Sequence, residues 1–435
     1  MSRVRFAPGW SAEPFWWEEA PRPAPPPEPA PLPARIEVLI VGAGFTGLAA
    51  ALVLARAGRE VLVLDAGPPG FGASGRNGGM VGHGHRVPYD DLVRRHGERV
   101  ADGLIREGLN ALCHTTALIE RESIDCRFQR TGRFRAAWRA ADFDRIAREV
   151  EHQSRRFGFE AEVVPRDRQD QEVATGRYHG GCIYHEHGGL HPGLFHDGLL
   201  ARAEAAGARI VGWTTAIGID REAEGFAVRT RRAKVRARHV IVATNGYGNE
   251  ASGEAGRQVA PIPSFIIATA RLGANRVRSL IPGRRMIVES RAAHCYYRPS
   301  PDGERILFGA RAALHMVSPE RAAKRNLGYM LSLFPDLRDV ELTHSWSGWV
   351  AFTRSLLPAI GVRDGIHYAM GYNGSGIAMA PYLGHRIAHK VLDDAEGRTA
   401  FDDLPFRTWP LHGVLPFARP LAGAWHRFKD WRDGS

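Results

Sequence analysis

At 435 residues, with 44% hydrophobic and 24% charged residues, the chain is too long for one small core and has the composition of an ordinary soluble globular enzyme, which excludes disordered and collagenous classes. Its formal net charge of +11 comes almost wholly from scattered arginines, with lysine only at Lys234, Lys324, Lys390 and Lys429, so no nucleic-acid partner is expected. Cys113, Cys126, Cys182 and Cys295 form no CxxC pair or zinc spacing, which points to reduced thiols and no metal. Arg3 and Arg5 are followed by no apolar leader, and no later apolar run is long enough to span a bilayer. A cytoplasmic protein without membrane insertion is expected.

In chain order, Trp10, Phe15, Trp16 and Trp17 form an aromatic cluster too costly to leave in water, and it is expected to dock as packing. Residues 21–33 are so proline-rich that an extended strap is the only plausible form. An apolar strand, Ile36–Val41, then runs into Gly42-Ala-Gly-Phe-Thr-Gly47, a helix over 46–57 stopped by Gly58, and a strand 60–65 ending in Asp65. Each part has a physical role. Gly42 makes a tight turn, Gly44 admits a pyrophosphate to the backbone, and Gly47 lets the helix pack on the sheet. The helix start offers free N–H groups to phosphate, and Asp65 is placed to accept from a ribose. A simple NAD unit needs no second glycine-rich loop, yet Gly72-Ala-Ser-Gly-Arg-Asn-Gly-Gly79 follows at once, so FAD is favoured.

Helical spacing is expected over 90–122 in one or two helices, over 142–157 with Phe143, Ile146 and Val150 on one face, and over 193–206. A strand 208–211, a hairpin around 226–237 and a separate apolar strand 239–243 return to the dinucleotide unit, where the small Ala243 and Thr244 suit close approach to a cofactor. Residues 261–340 read as short strands of a broad antiparallel sheet. Gly371 to Val391 reads as strand end, glycine turn and long helix, with Pro381 either tolerated or kinking it. Gly374-Ser-Gly376 would aim a helix N-terminus at the negative charge of a reduced flavin, with a simple cap by Ser375 as the plainer alternative. The fold class expected is α/β, a Rossmann-like FAD domain (35–90, 158–260 and 345–398) interleaved with an α+β substrate domain on a large, mostly antiparallel sheet (91–157 and 261–344). A strap (1–34) and a basic aromatic tail (399–435) flank them.

Gly42–Gly47 and Gly70–Gly79, followed in order by Ile124-Asp-Cys126, Gly188-Gly-Leu-His-Pro192, Val240–Tyr247, Tyr296-Tyr-Arg-Pro299, Leu307–Arg311 and Gly371–Gly376, resemble the FAD-dependent D-amino acid oxidase superfamily, in its gamma-glutamylputrescine oxidase branch. The likeness implies FAD contacts at Gly42, Gly44, Phe45, Thr46, Gly47, Asp65, Ser74, Arg76, Asn77, Gly78, Gly79, Met80, Ala216 beside Thr215, Ala243 and Thr244. It also implies that Gly374, Ser375, Gly376, Ile377 and Ala378 lie against the isoalloxazine, with Ser375 where relatives commonly carry histidine. Gly348 stands where several relatives attach flavin through cysteine, so the FAD is expected to be non-covalent. Leu307 and Ala378 stand where sarcosine-oxidising relatives have lysines, which disfavours that substrate.

The implied reaction is hydride transfer from the carbon beside an amine to FAD, giving an imine that hydrolyses, with O2 or another acceptor reoxidising the cofactor. The partner is then a small-molecule amine or amino acid, and no obligatory acid or base is required, so none is named. Tyr296, Tyr297 and Trp349 are expected near the ring, with core packing as the alternative. Arg311 and His83, His85 or Arg86 are the polar substrate candidates. Three functions compete with this one. The first is a dehydrogenase passing electrons to a quinone or protein, whose tail over 411–431 would then touch a membrane surface, with packing on the body as the favoured alternative. The second is a flavoprotein modifying a tRNA base, and the third a flavoprotein without activity that serves as a binding module.

Overall fold

The computed structural model describes residues 4–291 and 293–409 and builds them on two large sheets. The expected tail segment over 411–431 lies outside the described residues.

In the eight-stranded sheet, Arg35–Val41 pairs in parallel with Val61–Leu64 on one side and with Lys234–Val242 on the other. Val38, Leu39 and Ile40 are all fully buried, as a parallel strand covered on both faces must be. The separate strand expected over 239–243 is the second half of the single strand Lys234–Val242. Its first half pairs with the hairpin partner Gly225–Thr230 and its last residues pair with Ile366–Met370, which is why two readings could divide it.

The helix Phe45–Arg56 follows the first turn, and Gly58 ends it at φ +75°. It is buried on almost every side because the helices Gly376–Leu392 and Pro192–Ala205 both pack on it. Small residues set these approaches. A Cβ on Gly47 would lie 1.9 Å from the Gly42 carbonyl oxygen, and one on Gly384 would lie 2.4 Å from that of Thr46. Pro381 sits inside Gly376–Leu392, which continues through it.

The nine-stranded sheet is mostly antiparallel, with a two-faced design. In one row, Tyr297, Ile287 and Phe134 lie opposite one another and join a core covered by the helices Ala274–Leu280 and Pro319–Leu333. One residue along, Tyr296, Val288 and Arg135 form the row on the other face, which lines a large cavity. The helix Pro319–Leu333 was not expected, although Ser318-Pro-Glu is a helix start and the Ser318 hydroxyl accepts from the Arg321 N–H.

Several expected boundaries move. Strands Ala161–Val164 and Gly181–Tyr184, placed by sequence in the FAD domain, extend the nine-stranded sheet, as does Glu341–Thr353. Helix Glu98–Arg121, placed in the substrate domain, shares one core with Phe45–Arg56 and Gly376–Leu392. The N-terminal segment is more than a docked strap. Arg5–Ser11 adds an edge strand in parallel to Glu341–Thr353 before Phe15 and Trp16 bury themselves beneath it.

Candidate functional site

A cavity of about 1070 Å³ runs between the two sheets. At one end it is lined by Gly42, Gly44, Asp65, Thr215, Ala216, Ala243 and Thr244. Gly42 holds φ +109°, and a Cβ there would lie 2.9 Å from the Ala243 carbonyl oxygen, so only glycine fits the turn. The Asp65 carboxylate accepts from the Ala43 N–H (2.8 Å) and the Gly67 N–H (3.1 Å). Burial pushes its carboxyl group up and those N–H groups restrain the rise. The Ser74 hydroxyl accepts from the Phe45 N–H at 2.9 Å, tying the second glycine loop to the start of the first helix.

That second loop is braced from three directions. Asn77 ties it internally, donating to the carbonyls of Ala73 and Ser74 and accepting from the Gly79 N–H. From the nine-stranded sheet, Trp346 donates to the Arg76 carbonyl, and the Arg76 guanidinium donates to Ser347 and Phe71 carbonyls while lying over Phe71 and Trp17. From the N-terminus, Trp16 Nε1 donates to the Asn77 carbonyl (2.7 Å) and Trp17 Nε1 to that of Gly75 (3.1 Å).

The middle of the cavity meets the turn before Gly376–Leu392. Arg86 donates to the Asn373 carbonyl at 2.6 Å, Asn373 accepts from the Thr353 N–H, and Asn245 accepts from that of Gly371. The Ser375 side chain does not cap the helix and instead donates to the Gly84 carbonyl. Tyr372 and Thr46 share a hydroxyl contact of 2.5 Å that links this turn to the first helix. Facing the turn are Tyr296, whose hydroxyl bonds Ser264 at 3.0 Å, and Trp349, Phe352 and Arg311. Arg86 and Arg311 both lie over the Phe352 ring, 5.3 and 5.5 Å from its centre. Burial, then repulsion from Arg311, brings Arg86 down to about 10.

Beyond lies a chamber lined by Arg133, Arg135, Tyr184, His187, His83 and His294. Burial, with Arg133 and His85 adding repulsion, pushes His83 down to about 3, and burial among arginines holds His294 well below its ordinary value. Neither ring is cationic at neutral pH.

Residues 37–390 match the family described as "DAO: FAD dependent oxidoreductase". The chain is 31% identical to "Probable oxidoreductase OrdL" of Rhizobium meliloti over 98% of both proteins. The chain belongs to this FAD-dependent oxidoreductase family. It is also 31% identical to "Gamma-glutamylputrescine oxidoreductase" of Escherichia coli, over 91% of this chain and 92% of that one. Among solved structures, glycine oxidase from Geobacillus kaustophilus superimposes with a TM-score of 0.70 at 22% identity, covering 87% of this chain and 99% of that one, a likeness of fold.

The cavity suits the family's cofactor in shape and donors. It is continuous from the Gly42 turn to the N-terminal end of Gly376–Leu392, with a buried carboxylate at the first end and a helix start at each. Of the residues singled out by sequence, Gly42, Gly44, Phe45, Thr46, Asp65, Ser74, Arg76, Asn77, Gly78, Met80, Ala216, Ala243, Thr244, Gly374, Ser375, Gly376 and Ile377 line it. So do His83, Tyr296, Arg311 and Trp349. Four do not. Gly47 and Gly79 serve close backbone packing, the latter beneath the Leu190 carbonyl. Ala378 is buried among helices, its carbonyl accepting from Thr115. Tyr297 points to the helix-covered face, bonded to Tyr178, so its expected place near the ring is corrected by the period-two alternation of its strand. The arginines of the strand Arg133–Ala136 were missed. Their signal was alternation, Phe134 and Ala136 going to the core and the cations to the opposite face, which is cavity here and not solvent.

Proposed function

We propose that this protein oxidises a small-molecule amine or amino acid at the C–H bond beside nitrogen. The observation that carries this is one continuous cavity joining a dinucleotide cradle to an aromatic and strongly cationic chamber. In this reading FAD spans the cavity non-covalently, its adenosine half at Asp65, Ala216 and Ala243, its pyrophosphate at Gly42–Thr46 and Ser74, and its ring at Gly374–Ile377. Bound FAD supplies acceptance of the hydride, and O2 restores it with formation of hydrogen peroxide.

The chain's own residues then have three roles. Tyr296, Trp349 and Phe352 wall the reacting carbon from water. Arg86 and Arg311 raise the local positive potential, which favours a neutral amine over an ammonium, the neutral amine being the form whose C–H bond can give up hydride. The Arg86 bond to Asn373 fixes the turn against which the ring would rest. No histidine of the chamber is poised as a base at neutral pH, so placement and desolvation are the chain's contribution. No cysteine is among the residues that line the cavity, so a tether through cysteine is not part of this reading.

The test is anaerobic addition of diamines, putrescine derivatives, N-methyl amino acids and amino acids to the purified yellow protein. Loss of flavin absorbance with a member of the panel, and hydrogen peroxide on admitting air, are expected. No bleaching by any member refutes the reading. Yellow colour left in an acid-precipitated pellet refutes the non-covalent attachment.

A further inference from the structure

Within the cationic chamber the charges do not balance at one residue. The two carboxylates at this end are both engaged: Glu149 with Arg135 (3.1 Å) and Arg145 (3.8 Å), and Glu289 with Arg291 and with the Tyr178 hydroxyl (2.9 Å). The Arg133 side chain has no ion pair or hydrogen bond among the described residues, and its buried Nε–H has no partner. Enclosed by Tyr184, His83 and His187, its guanidinium is held down to about 10 by burial. His187 carries a second orphan. Its Nε2 accepts from the His83 N–H at 3.2 Å, which leaves the proton of the neutral ring on Nδ1, and that buried atom has no partner.

Two unpaired donors in the lining of one enclosure, one of them a cation, are costly unless something anionic completes them. We propose that Arg133, seconded by His187, is an anion subsite that takes a carboxylate carried by the substrate at a distance from its reacting nitrogen. The spacing comes from the sheet. Tyr296, Val288 and Arg135 occupy one row over three adjacent strands, and Arg133 lies two residues along from Arg135 on the same face. Two strand spacings make about 10 Å from the Tyr296 wall to the arginine strand. The substrate class is thus an amine whose chain ends in a carboxylate, long enough to bridge from the Arg86 and Arg311 pair to Arg133. This specificity rests on the amine-oxidation reading above, but the subsite can be measured without turnover.

The probes are unreactive carboxylates added to the oxidised holoenzyme at constant ionic strength, read by perturbation of the flavin spectrum. Succinate, glutarate, adipate, pimelate and suberate are compared with the monocarboxylates of equal length. One dicarboxylate is expected to bind at least about tenfold more tightly than its monocarboxylate partner, the worth of one added charge-assisted hydrogen bond. Arg133→Met should erase that advantage while leaving monocarboxylate affinity unchanged, and Arg133→Lys should restore part of it. A wild-type protein that binds no dicarboxylate better than its monocarboxylate overturns the proposal without need of any variant. So does an advantage that survives Arg133→Met. If no amine bleaches the flavin yet the Arg133-dependent advantage is present, the reaction class fails and the subsite stands. If amines bleach the flavin and no such advantage is found, the subsite fails and the reaction class stands.

Discussion

Replacing Trp16 by Phe isolates one hydrogen bond in the brace of the second glycine loop. Trp16 is fully buried, and its Nε1–H meets the Asn77 carbonyl at 2.7 Å. Phenylalanine keeps a ring against His191, 4.9 Å away, but leaves that carbonyl without its donor on the side that the fully buried Trp16 ring covers. The unpaired group costs about 1–3 kcal/mol, and the lost pyrrole ring leaves a small void worth about 1 kcal/mol more. How the loss divides depends on the loop. If the loop is as ordered without flavin as with it, the whole cost appears in urea unfolding of the apoprotein. If it relaxes without flavin, the same cost, about 2–4 kcal/mol in all, appears as an FAD dissociation constant raised about 30- to 850-fold, measured by fluorescence quenching on reconstitution. Trp17→Phe is the control. Trp17 is only partly buried, its bond to Gly75 is 3.1 Å, and water can replace it, so about 0.5 kcal/mol is expected. A Trp16→Phe cost below about 0.5 kcal/mol in both assays, or equal costs for the two variants, refutes the brace.

Gly384→Ala places a methyl group 2.4 Å from the Thr46 carbonyl and should destabilise by about 2–3 kcal/mol in urea, since two helix backbones must separate. Glu122 forms a two-pronged pair with Arg56, both bonds 2.7 Å, which holds its carboxyl group down to about 2 from an ordinary 4.5. Because that value is depressed in the folded state, the pair's stabilisation is present above pH 4.5 and fades as pH falls toward 2. Glu122→Gln should therefore lose about 1 kcal/mol at pH 7 by denaturant titration, discounted for the half-exposed Arg56, and the gap to wild type should narrow in acid. Tyr296→Phe should alter turnover with whichever substrate bleaches the flavin and change stability by less than about 0.5 kcal/mol. Tyr297→Phe should do the opposite, costing about 1–2 kcal/mol at its bond to Tyr178 and leaving the flavin spectrum unchanged.

What could be read from sequence was local. Gly42, Gly44, Gly47 and Asp65 declare their roles because a turn, a close approach and a strand end each demand a particular residue within a short span. Tyr296 and Tyr297 show the limit. Adjacent residues of a strand face opposite ways, and only the pairing with Val288 and Ile287 tells which one meets the cavity. Arg133 and Arg135 look like the solvent face of a strand until the dinucleotide sheet is brought over them. Which sheet each strand joins was illegible for a related reason. Strand 181–184 enters the nine-stranded sheet beside Arg133–Ala136, whose other neighbour is the distant Met286–Glu289, and carries strand 161–164 on its outer side, and no local pattern records such pairing.

The edge strand Arg5–Ser11 has a consequence for the order of assembly. Arg5 pairs with Glu341, so the earliest described residues to leave the ribosome have no strand to pair with until the last strand of that sheet has been made. Trp16 shares a buried cluster with Trp346 of that late strand, so the packing behind its bond to the glycine loop is complete only once that strand is made. Until Glu341–Thr353 is made, the loop is held by its own Asn77 and by Ser74, which accepts from the Phe45 N–H, and the edge of strand Val259–Thr269 that Glu341–Thr353 will cover stands open. Arg5–Ser11 is thus made long before the strand that seats it, and the N-terminal brace depends on the last-made strand of that sheet.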